Sequence, residues 1–237
     1  MKVSVVVPCY NEESNIDNLV GRFAYFAKEY NIELILVDNG SKDRTRELIV
    51  LATKKYSFVR LVIVEENIGY GNGILQGLKN ATGDLLGWIH ADLQSDPAVF
   101  KKMIESAKTE TGPFLYKGAR KNRSFADSFF TFGMSLLESV YFKLSLWDIN
   151  SQPTLLSRQF FCSWKNPPFD FSLDLYVYVM AKVQKLKIQK FLSIQHKRTG
   201  GISSWNQKWY SRVKMITRVL QYSKRLKKQI KESETSL

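Results

Sequence analysis

The first half of this chain predicts an α/β fold built on a mostly parallel central sheet with helices on both faces. Short runs rich in β-branched residues recur along it, at Val3–Val7, Leu34–Val37, Val59–Val64 and Leu85–Ile89. Stretches of helical length separate these runs, at about 13–29, 43–55, 72–81 and 97–109. Strands that alternate with helices in this way form βαβ units, in which the strands are parallel and covered on both sides.

The length of 237 residues suits one globular domain with a short appendix, which we place in 1–204 and 205–237. No segment approaches the roughly 18 uninterrupted apolar residues of a membrane span, and Pro8 interrupts the N-terminal apolar run too early for a secretory signal. We therefore expect a cytoplasmic protein. Cys9 and Cys162 have no metal-type spacing, and we expect both to be small buried hydrophobic side chains.

The formal charge of +13 implies an anionic partner, which is a nucleic acid, an anionic lipid or a phosphorylated substrate. Much of the excess lies in the tail, where nine basic residues follow Trp205. Apolar residues recur there at helical spacing and predict a basic amphipathic helix over 205–231; they are Trp209, Val213, Ile216 and Leu220. Such a helix either lies on an anionic membrane surface or packs on the domain with its basic face in solvent.

Polar or acidic groups follow all four predicted strands. The segments are Pro8–Glu12, Asp38–Ser41, Glu65–Gly69 and His90–Asp92. Each segment taken alone is compatible with a simple turn or with the acidic N-terminus of a helix. Because ligands of parallel sheets bind at the carboxyl ends of the strands, the four segments together indicate one site assembled from several loops.

The loop after the fourth strand is the most informative part of the sequence. Asp92 and Gln94 stand two residues apart, directly after a buried apolar run, and their side-chain oxygens suit a divalent cation that carries a diphosphate. The alternative is that the acidic residues only cap the helix beginning near Pro97. Ser95 and Asp96 suffice for that role, which leaves Asp92 and Gln94 for a metal.

A glycine-rich stretch runs from Asn67 to Gly77. A strand-to-helix loop of this composition brings backbone N–H groups close to a phosphate. The stretch lacks the lysine of a P-loop and the spacing of the dinucleotide fingerprint, so it carries little weight alone.

These residues resemble the family 2 glycosyltransferases of the GT-A fold, especially the branch with the dolichyl- and polyprenyl-phosphate sugar synthases. The segments that match best are Val5–Glu13, Leu36–Asp43, Asn67–Asp84 and Ala91–Pro97. Looser matches are Gly118–Arg120, Asp148–Pro153, Phe171–Leu175 and Lys197–Ser204. The resemblance covers about residues 2–204, with its first half the more specific.

The resemblance implies a transferase that takes a sugar from a nucleotide donor and inverts the anomeric centre in a single displacement. The residues that would bind the donor in this family pattern are Pro8, Tyr10, Asn11, Glu12, Val37, Asp38, Asn39 and Ala91. Glu12 would lie near the ribose, and Asp38 and Asn39 near the base. Asp92 and Gln94 would ligate Mg²⁺ or Mn²⁺ on the diphosphate, where a cation stabilises the leaving group.

The basic residues implied by the family pattern are Arg120, on the acceptor side, and Arg198, near the late glycines. Both would neutralise phosphate oxygens. Two positions depart from the pattern, because Asn39 and His90 stand where the family usually has carboxylates. His90 would either ligate the metal, favouring Mn²⁺ over Mg²⁺, or contact the ribose.

The acceptor is expected to be a polyprenyl phosphate at the cytoplasmic membrane face, with peripheral contact through 205–231. A soluble enzyme acting on a glycan hydroxyl is the alternative, and it would need a carboxylate base. Asp174 stands where many family members place that base but also fits a plain helix start, and Asp148 is a second candidate. A nucleic-acid-binding module is not expected, because carboxylates at the strand ends repel a phosphate backbone.

Overall fold

The computed structural model describes residues 1–121, 125–194 and 209–235, and in these ranges seven strands form one sheet. The strands are β1 (Val3–Cys9), β2 (Ile32–Asn39), β3 (Val59–Val64), β4 (Leu85–Trp88), β5 (Phe114–Lys121), β6 (Thr154–Ser157) and β7 (Lys187–Ile194). The helices are α1 (Ile16–Phe26), α2 (Thr45–Lys55), α3 (Tyr70–Asn80), α4 (Val99–Ala107), α5 (Phe125–Phe142), α6 (Arg158–Cys162), α7 (Leu173–Val183) and α8 (Trp209–Thr235).

The sheet has the order β3-β2-β1-β4-β6-β5-β7 and is mostly parallel, as predicted. The first four strands are parallel to one another, with Val3 opposite both Ile32 and Leu85. β6 runs antiparallel to its neighbours β4 and β5, and β7 is parallel to β5. The carboxyl ends of β1, β2, β3, β4 and β5 therefore lie along the same edge.

Helices cover both faces of the sheet and divide the core into two apolar layers. On one face, α1, α2 and α4 pack on the sheet, and the rings of Phe23 and Phe100 lie 6.3 Å apart. The apolar residues of α1 recur three and four positions apart, so a single stripe of that helix is buried. The other face is covered by α3, α6, α7 and α8.

The glycines of α3 allow this helix to pack closely on the sheet. A Cβ on Gly77 would lie 2.3 Å from Cγ1 of Val6, and one on Gly71 would lie 2.6 Å from the carbonyl oxygen of Asp170. The N–H of Asn72 donates to the carbonyl oxygen of Phe169 (2.8 Å). The glycine-rich stretch is therefore largely helical, and close packing explains Gly71 and Gly77 without a bound phosphate.

The C-terminal helix α8 packs on the domain over the part whose side chains are described. Tyr222 and Leu226 are buried in the second apolar layer. Ser223 donates to the buried carboxylate of Glu138 on α5 (2.9 Å), and Lys227 Nζ donates to the Tyr141 carbonyl oxygen (2.5 Å). Of the two interpretations that the sequence left open, packing on the domain holds for this stretch.

Two further points concern the sequence-based expectations. Cys9 is buried as expected, but Cys162 is exposed because it ends the short helix α6 at the surface. In the described part of the chain, no helix combines the length and the apolar character needed to span a bilayer.

Candidate functional site

The loops after β1 and β2 are held together at the carboxyl edge of the sheet by reciprocal hydrogen bonds. The N–H of Asn11 donates to Ser41 Oγ (3.2 Å), and the N–H of Lys42 donates to Asn11 Oδ1 (2.8 Å). Asn11 has a φ of 54°, a left-handed conformation that asparagine tolerates better than most residues. This arrangement fixes the chain directly after Pro8 and leaves Tyr10 exposed.

Glu12 is anchored at the start of the same loop. Its N–H donates to Thr45 Oγ1 (2.8 Å), and its carboxylate accepts from Asn15 Nδ2 (2.6 Å). The side chain is half-buried, and Glu12 is held between Asn15, directly before α1, and Thr45, the first residue of α2.

The carboxylate of Asp38 is fully buried at the end of β2, beside the buried side chain of Val37. Arg46 Nε donates to its Oδ2 (2.5 Å), and the N–H of Ser41 donates to its Oδ1 (3.0 Å). Arg46 also pairs with Glu65, which follows β3 (3.2 Å). Asp38 is therefore already engaged in an ion pair with a partly exposed arginine.

Asn39 links the ends of β2 and β3. Its Nδ2 donates to Asn67 Oδ1 and to the Gly69 carbonyl oxygen, both at 3.2 Å. Its own Oδ1 is buried and accepts no hydrogen bond in the structure. Asn39 therefore positions the loop after β3, and its Oδ1 can accept a hydrogen bond from a donor group of a ligand.

The loop after β4 separates the roles of its two aspartates. Asp96 Oδ1 accepts from the N–H of Ala98 and so stabilises the turn into α4 (2.9 Å). Asp92 Oδ1 accepts from the N–H of Gln94 (3.1 Å), with Leu93 between them at a φ of 57°. Ala91 and Asp92 are largely buried, and Gln94 is partly exposed.

The oxygens of Asp92 and Gln94 fit a hard divalent cation by their chemistry. Across the described ranges, no group of three or more His, Cys, Asp or Glu side chains is arranged to hold a metal. The protein would therefore supply part of a coordination shell, which phosphate oxygens and water would complete. Asp92 and Gln94 therefore suit a cation that binds together with a diphosphate group.

His90 is one end of a column of three aromatic rings. Its imidazole stacks on Tyr70 with 5.0 Å between ring centroids, and Tyr70 stacks on Phe171 at the same spacing. The carboxamide of Gln152 contacts the Tyr70 hydroxyl (2.7 Å), oriented so that its oxygen also accepts from the Trp88 indole. The column fixes the plane of the imidazole and leaves its nitrogens at the ring edge.

Below this column, Lys117 and Asp174 form a buried pair of opposite charges. Lys117 Nζ lies 3.9 Å from Asp174 Oδ1, and both side chains are almost fully shielded from solvent. Burial lowers the pKa of Lys117 and raises the pKa of Asp174, and the attraction between the two opposes both shifts. Thr154 pairs with Trp88 on one side and Lys117 on the other, which places all three on the face under α7.

Arg120 pairs with Asp148, so the structure joins two residues that the sequence placed apart. Arg120 Nε donates to Asp148 Oδ1 (2.8 Å), and the backbone N–H of Arg120 donates to Oδ2 (3.2 Å). The pair is mostly buried. It fixes the guanidinium at the end of β5, and both carboxylate oxygens of Asp148 accept hydrogen bonds from Arg120.

The predicted site residues thus lie at or directly after the carboxyl ends of β1, β2, β4 and β5, or at the start of α7. Arg198 lies outside the described residues. Sequence reasoning missed Lys117 and Tyr70. A signal for Lys117 existed, because it is a single basic residue inside the apolar run from Phe114 to Gly118. Tyr70 gave no comparable signal, since its role depends on stacking between His90 and Phe171.

Comparison with known proteins finds a matching family model, curated relatives and solved structures with a similar fold. The model of Glycosyl transferase family 2 matches residues 4–146. A dolichol-phosphate mannosyltransferase from Pyrococcus furiosus is 37% identical over 108 residues, which are 46% of this chain and 30% of that protein. The match therefore spans about a third of that relative's length.

The solved structures that resemble this fold include glucosyl-3-phosphoglycerate synthase from Mycobacterium tuberculosis. Its complex with phosphoglyceric acid has a TM-score of 0.68 at 18% identity, covering 85% of this chain and 73% of that one. Its complex with Mn²⁺, uridine diphosphate and glucosyl-3-phosphoglycerate has a TM-score of 0.65 at 18% identity, covering 83% and 72%. At this identity the likeness concerns the fold, and it confirms the predicted GT-A architecture.

Proposed function

The chain belongs to glycosyl transferase family 2, whose model covers more than half of it, and from this premise we propose that it transfers a sugar from a nucleotide-sugar donor to a polyprenyl phosphate. Membership confirms the glycosyltransferase class that the motifs indicated. The observation that carries the proposal is the loop after β4, where Asp92 and Gln94 offer oxygens at the edge where the other loops meet. The similarity to a dolichol-phosphate mannosyltransferase supports the choice of acceptor.

On the donor side, Asp92 and Gln94 would hold Mg²⁺ or Mn²⁺, with His90 as a further candidate ligand. When bound, the cation neutralises charge that develops on the departing diphosphate. The nucleoside would bind at the ends of β1, β2 and β4. The residues that would contact it are Pro8, Tyr10, Asn11, Glu12, Val37, Asp38, Asn39 and Ala91. A bound nucleotide and Mn²⁺ in the related synthase support this assignment.

On the acceptor side, an oxygen of the polyprenyl phosphate attacks the anomeric carbon as the bond to the diphosphate breaks. The electron pair of that bond leaves with the nucleoside diphosphate, and the configuration inverts. The phosphate is already ionised near neutral pH, so it needs positioning and no base. Arg120, held by Asp148, is proposed to provide that positioning together with Arg198.

A soluble transferase that acts on a hydroxyl group is the second candidate. It is favoured by Asp174, a carboxylate at the start of α7 whose pKa burial raises toward the range of a useful base. The related synthase, which forms glucosyl-3-phosphoglycerate, also acts on a small acceptor. With either acceptor, we place the enzyme in the cytoplasm. With a lipid acceptor it would be peripheral at the membrane, through the part of 205–231 that does not pack on the domain.

The test is an acceptor panel with the purified chain, Mn²⁺ or Mg²⁺, and several nucleotide sugars. Acceptors are a polyprenyl phosphate in detergent, the same polyprenol without its phosphate, and phosphoglycerate. We expect sugar transfer to the polyprenyl phosphate alone. Transfer to a hydroxyl acceptor, with none to the phosphate, would contradict the lipid-phosphate assignment.

A further inference from the structure

From Phe132 onward, one side of α5 is apolar and exposed. The exposed residues of this surface, here called the α5 strip, are Phe132, Leu136, Leu137 and Val140, with between 43% and 70% of each residue exposed. Soluble proteins rarely present several large apolar side chains next to one another, and such patches mark interaction surfaces. The α5 strip therefore requires a partner.

The opposite side of α5 faces the protein core, so the α5 strip is not a misplaced core surface. Ser135 and Glu138 are buried, and Phe142 packs against the second apolar layer. Glu138 is the one charged residue in the sequence from Phe132 to Phe142, and its carboxylate is bonded by Ser223. No charge thus lies on the outward side of this stretch.

Two exposed lysines lie on α8, the helix that packs next to α5. The contacts of Ser223 and Lys227 place α8 alongside α5 at Glu138 and Tyr141. On α8, Lys224 and Lys228 are exposed one turn apart, on the side away from the buried Tyr222. Lys228 also pairs with the exposed Glu232 at 3.7 Å, and such a surface ion pair is weak enough to exchange for a headgroup. Two neighbouring helices therefore expose an apolar surface next to a positively charged one.

The α5 strip is also continuous with the acceptor side of the site. The ring of Phe132 lies 5.4 Å from that of Trp147, which is itself exposed. The next residue, Asp148, holds Arg120, and the carbonyl oxygen of Trp147 accepts from Lys190 Nζ (2.6 Å). The apolar surface leads to the arginine proposed to hold the acceptor phosphate.

We propose that the α5 strip and the lysines Lys224 and Lys228 form a membrane-binding face that lies on an anionic bilayer. The apolar side chains enter the headgroup boundary, and the lysines contact anionic headgroups. An anionic lipid neutralises these two lysines. A second copy of this chain would instead bring two further lysines to the same interface, and their charges would repel. The inference rests on the proposed function only in identifying the acceptor phosphate that this face would approach.

The experiment measures cosedimentation of the purified chain with phosphatidylcholine vesicles, with and without phosphatidylglycerol. The test variants are Leu136→Glu with Val140→Glu on α5, and Lys224→Glu with Lys228→Glu on α8. Leu51→Glu is the matched control, because Leu51 is 52% exposed on α2, on the other face of the sheet. Circular dichroism and the unfolding midpoint establish that each variant is folded.

We expect the intact chain and the control to bind anionic vesicles and the α5 variant to lose binding. The α8 variant should bind more weakly, and high salt should weaken the intact chain without releasing it, since apolar insertion is not screened. Absence of vesicle binding by the intact chain overturns the proposal. A dimer that the α5 variant disrupts in lipid-free solution also overturns it, because the partner is then a second copy.

A water-soluble, short-chain polyprenyl phosphate separates this proposal from the proposed function. The α5 variant should retain transfer to that acceptor and lose transfer to a long-chain polyprenyl phosphate embedded in vesicles. If the intact chain binds vesicles but modifies neither acceptor, the membrane face stands and the acceptor assignment fails. Equal loss on both acceptors would place the α5 variant's defect in the active site and contradict the membrane role.

Discussion

Lys117 Nζ and Asp174 Oδ1 lie 3.9 Å apart between β5 and α7, and neither atom makes a hydrogen bond in the structure. Their attraction is therefore Coulombic, and it must offset the cost of removing two charges from water. For buried pairs that cost equals or exceeds the gain, so such a pair is retained for a reason other than stability alone. Its position below His90 and Tyr70 suggests that the pair serves the site.

The first prediction concerns the stability of this pair. Lys117→Met leaves a buried carboxylate without its cation, and we expect a loss of about 3–5 kcal/mol in the free energy of unfolding. The double variant Lys117→Met with Asp174→Leu should recover most of that loss, because apolar residues fill the same volume. Urea unfolding of the wild type, Lys117→Met, Asp174→Leu and the double variant measures the coupling between the two residues. If the stability loss of the double variant equals the sum of the two single losses, the prediction is contradicted.

The pH dependence of the Lys117→Met variant follows from the same geometry. The folded-state pKa of Asp174 is raised by burial, so the folded state binds its proton more tightly than the unfolded state does. Stability from this group is present below the unfolded pKa and is lost as pH rises through the folded pKa. Without Lys117 the shift grows, so the variant's deficit against the wild type should shrink as pH falls.

The second prediction concerns acid stability and Glu33. Burial alone would raise the pKa of Glu33, but hydrogen bonds from Ser4, Thr82 and Arg60 outweigh it and lower the pKa to about 2. A depressed carboxylate pKa contributes stability above the unfolded value, and that stability is lost as pH falls through the folded value. A fall in the pKa from the ordinary value of 4.5 to about 2 corresponds to about 3 kcal/mol.

Glu33→Gln should therefore flatten the loss of unfolding free energy between about pH 4.5 and pH 2, a window set by the unfolded and folded pKa values. The readout is the urea midpoint measured across this range. Glu47→Gln is the control, because Glu47 is exposed on α2 and pairs with Arg44 at the surface. If the urea midpoint of Glu33→Gln falls with decreasing pH as steeply as that of the wild type, other carboxylates determine the acid sensitivity.

The first half of the fold could be predicted because its signals are local. β1, β2, β3 and β4 are apolar runs, helical stretches separate them, and parallel pairing follows from that alternation. The edge at which the candidate site residues lie followed in turn, since the carboxyl ends of parallel strands share one edge of the sheet. Asp96 could also be assigned to the helix entry from its place before Pro97, and its bond to Ala98 agrees.

The second half could not be predicted because its elements depend on distant partners. β6 has only four residues and is defined by antiparallel pairing with both β4 and β5. The glycines of α3 are explained by contacts with Val6 and with the carbonyl oxygen of Asp170, which no local pattern reveals. Lys117 was missed for the same reason, since its partner Asp174 lies on α7.

The third prediction concerns Asp92. Asp92→Ala should abolish transfer and the Mn²⁺-dependent part of nucleoside diphosphate binding, because a cation ligand is lost. The unfolding free energy should change by less than about 1 kcal/mol, since a loop carboxylate contributes little to the core. Calorimetric titration with and without Mn²⁺ gives the binding, and Asp96→Ala is the matched control that should retain metal-dependent binding. Metal-dependent binding that survives in Asp92→Ala contradicts the assignment.

The fourth prediction concerns His90, which stands where a carboxylate is usual. His90→Asp should shift the metal preference from Mn²⁺ toward Mg²⁺, because oxygen ligands favour the harder ion. His90→Phe is the companion variant, since it keeps a ring against Tyr70 but offers no ligand atom. Relative activities in the two metals that stay unchanged in both variants would show that the imidazole does not ligate.

The last prediction decides between the two acceptor chemistries through Asp174. An ionised phosphate acceptor needs no base, so Asp174→Asn should retain transfer to a polyprenyl phosphate within about tenfold. A hydroxyl acceptor needs the base, and its removal costs about 10²–10⁴ in rate. Asparagine has nearly the same shape as aspartate but leaves Lys117 without its counter-charge, so nucleotide affinity and the unfolding midpoint are measured beside the rate. A folded variant that binds nucleotide normally yet loses polyprenyl phosphate transfer by more than about 100-fold would assign Asp174 a direct catalytic role.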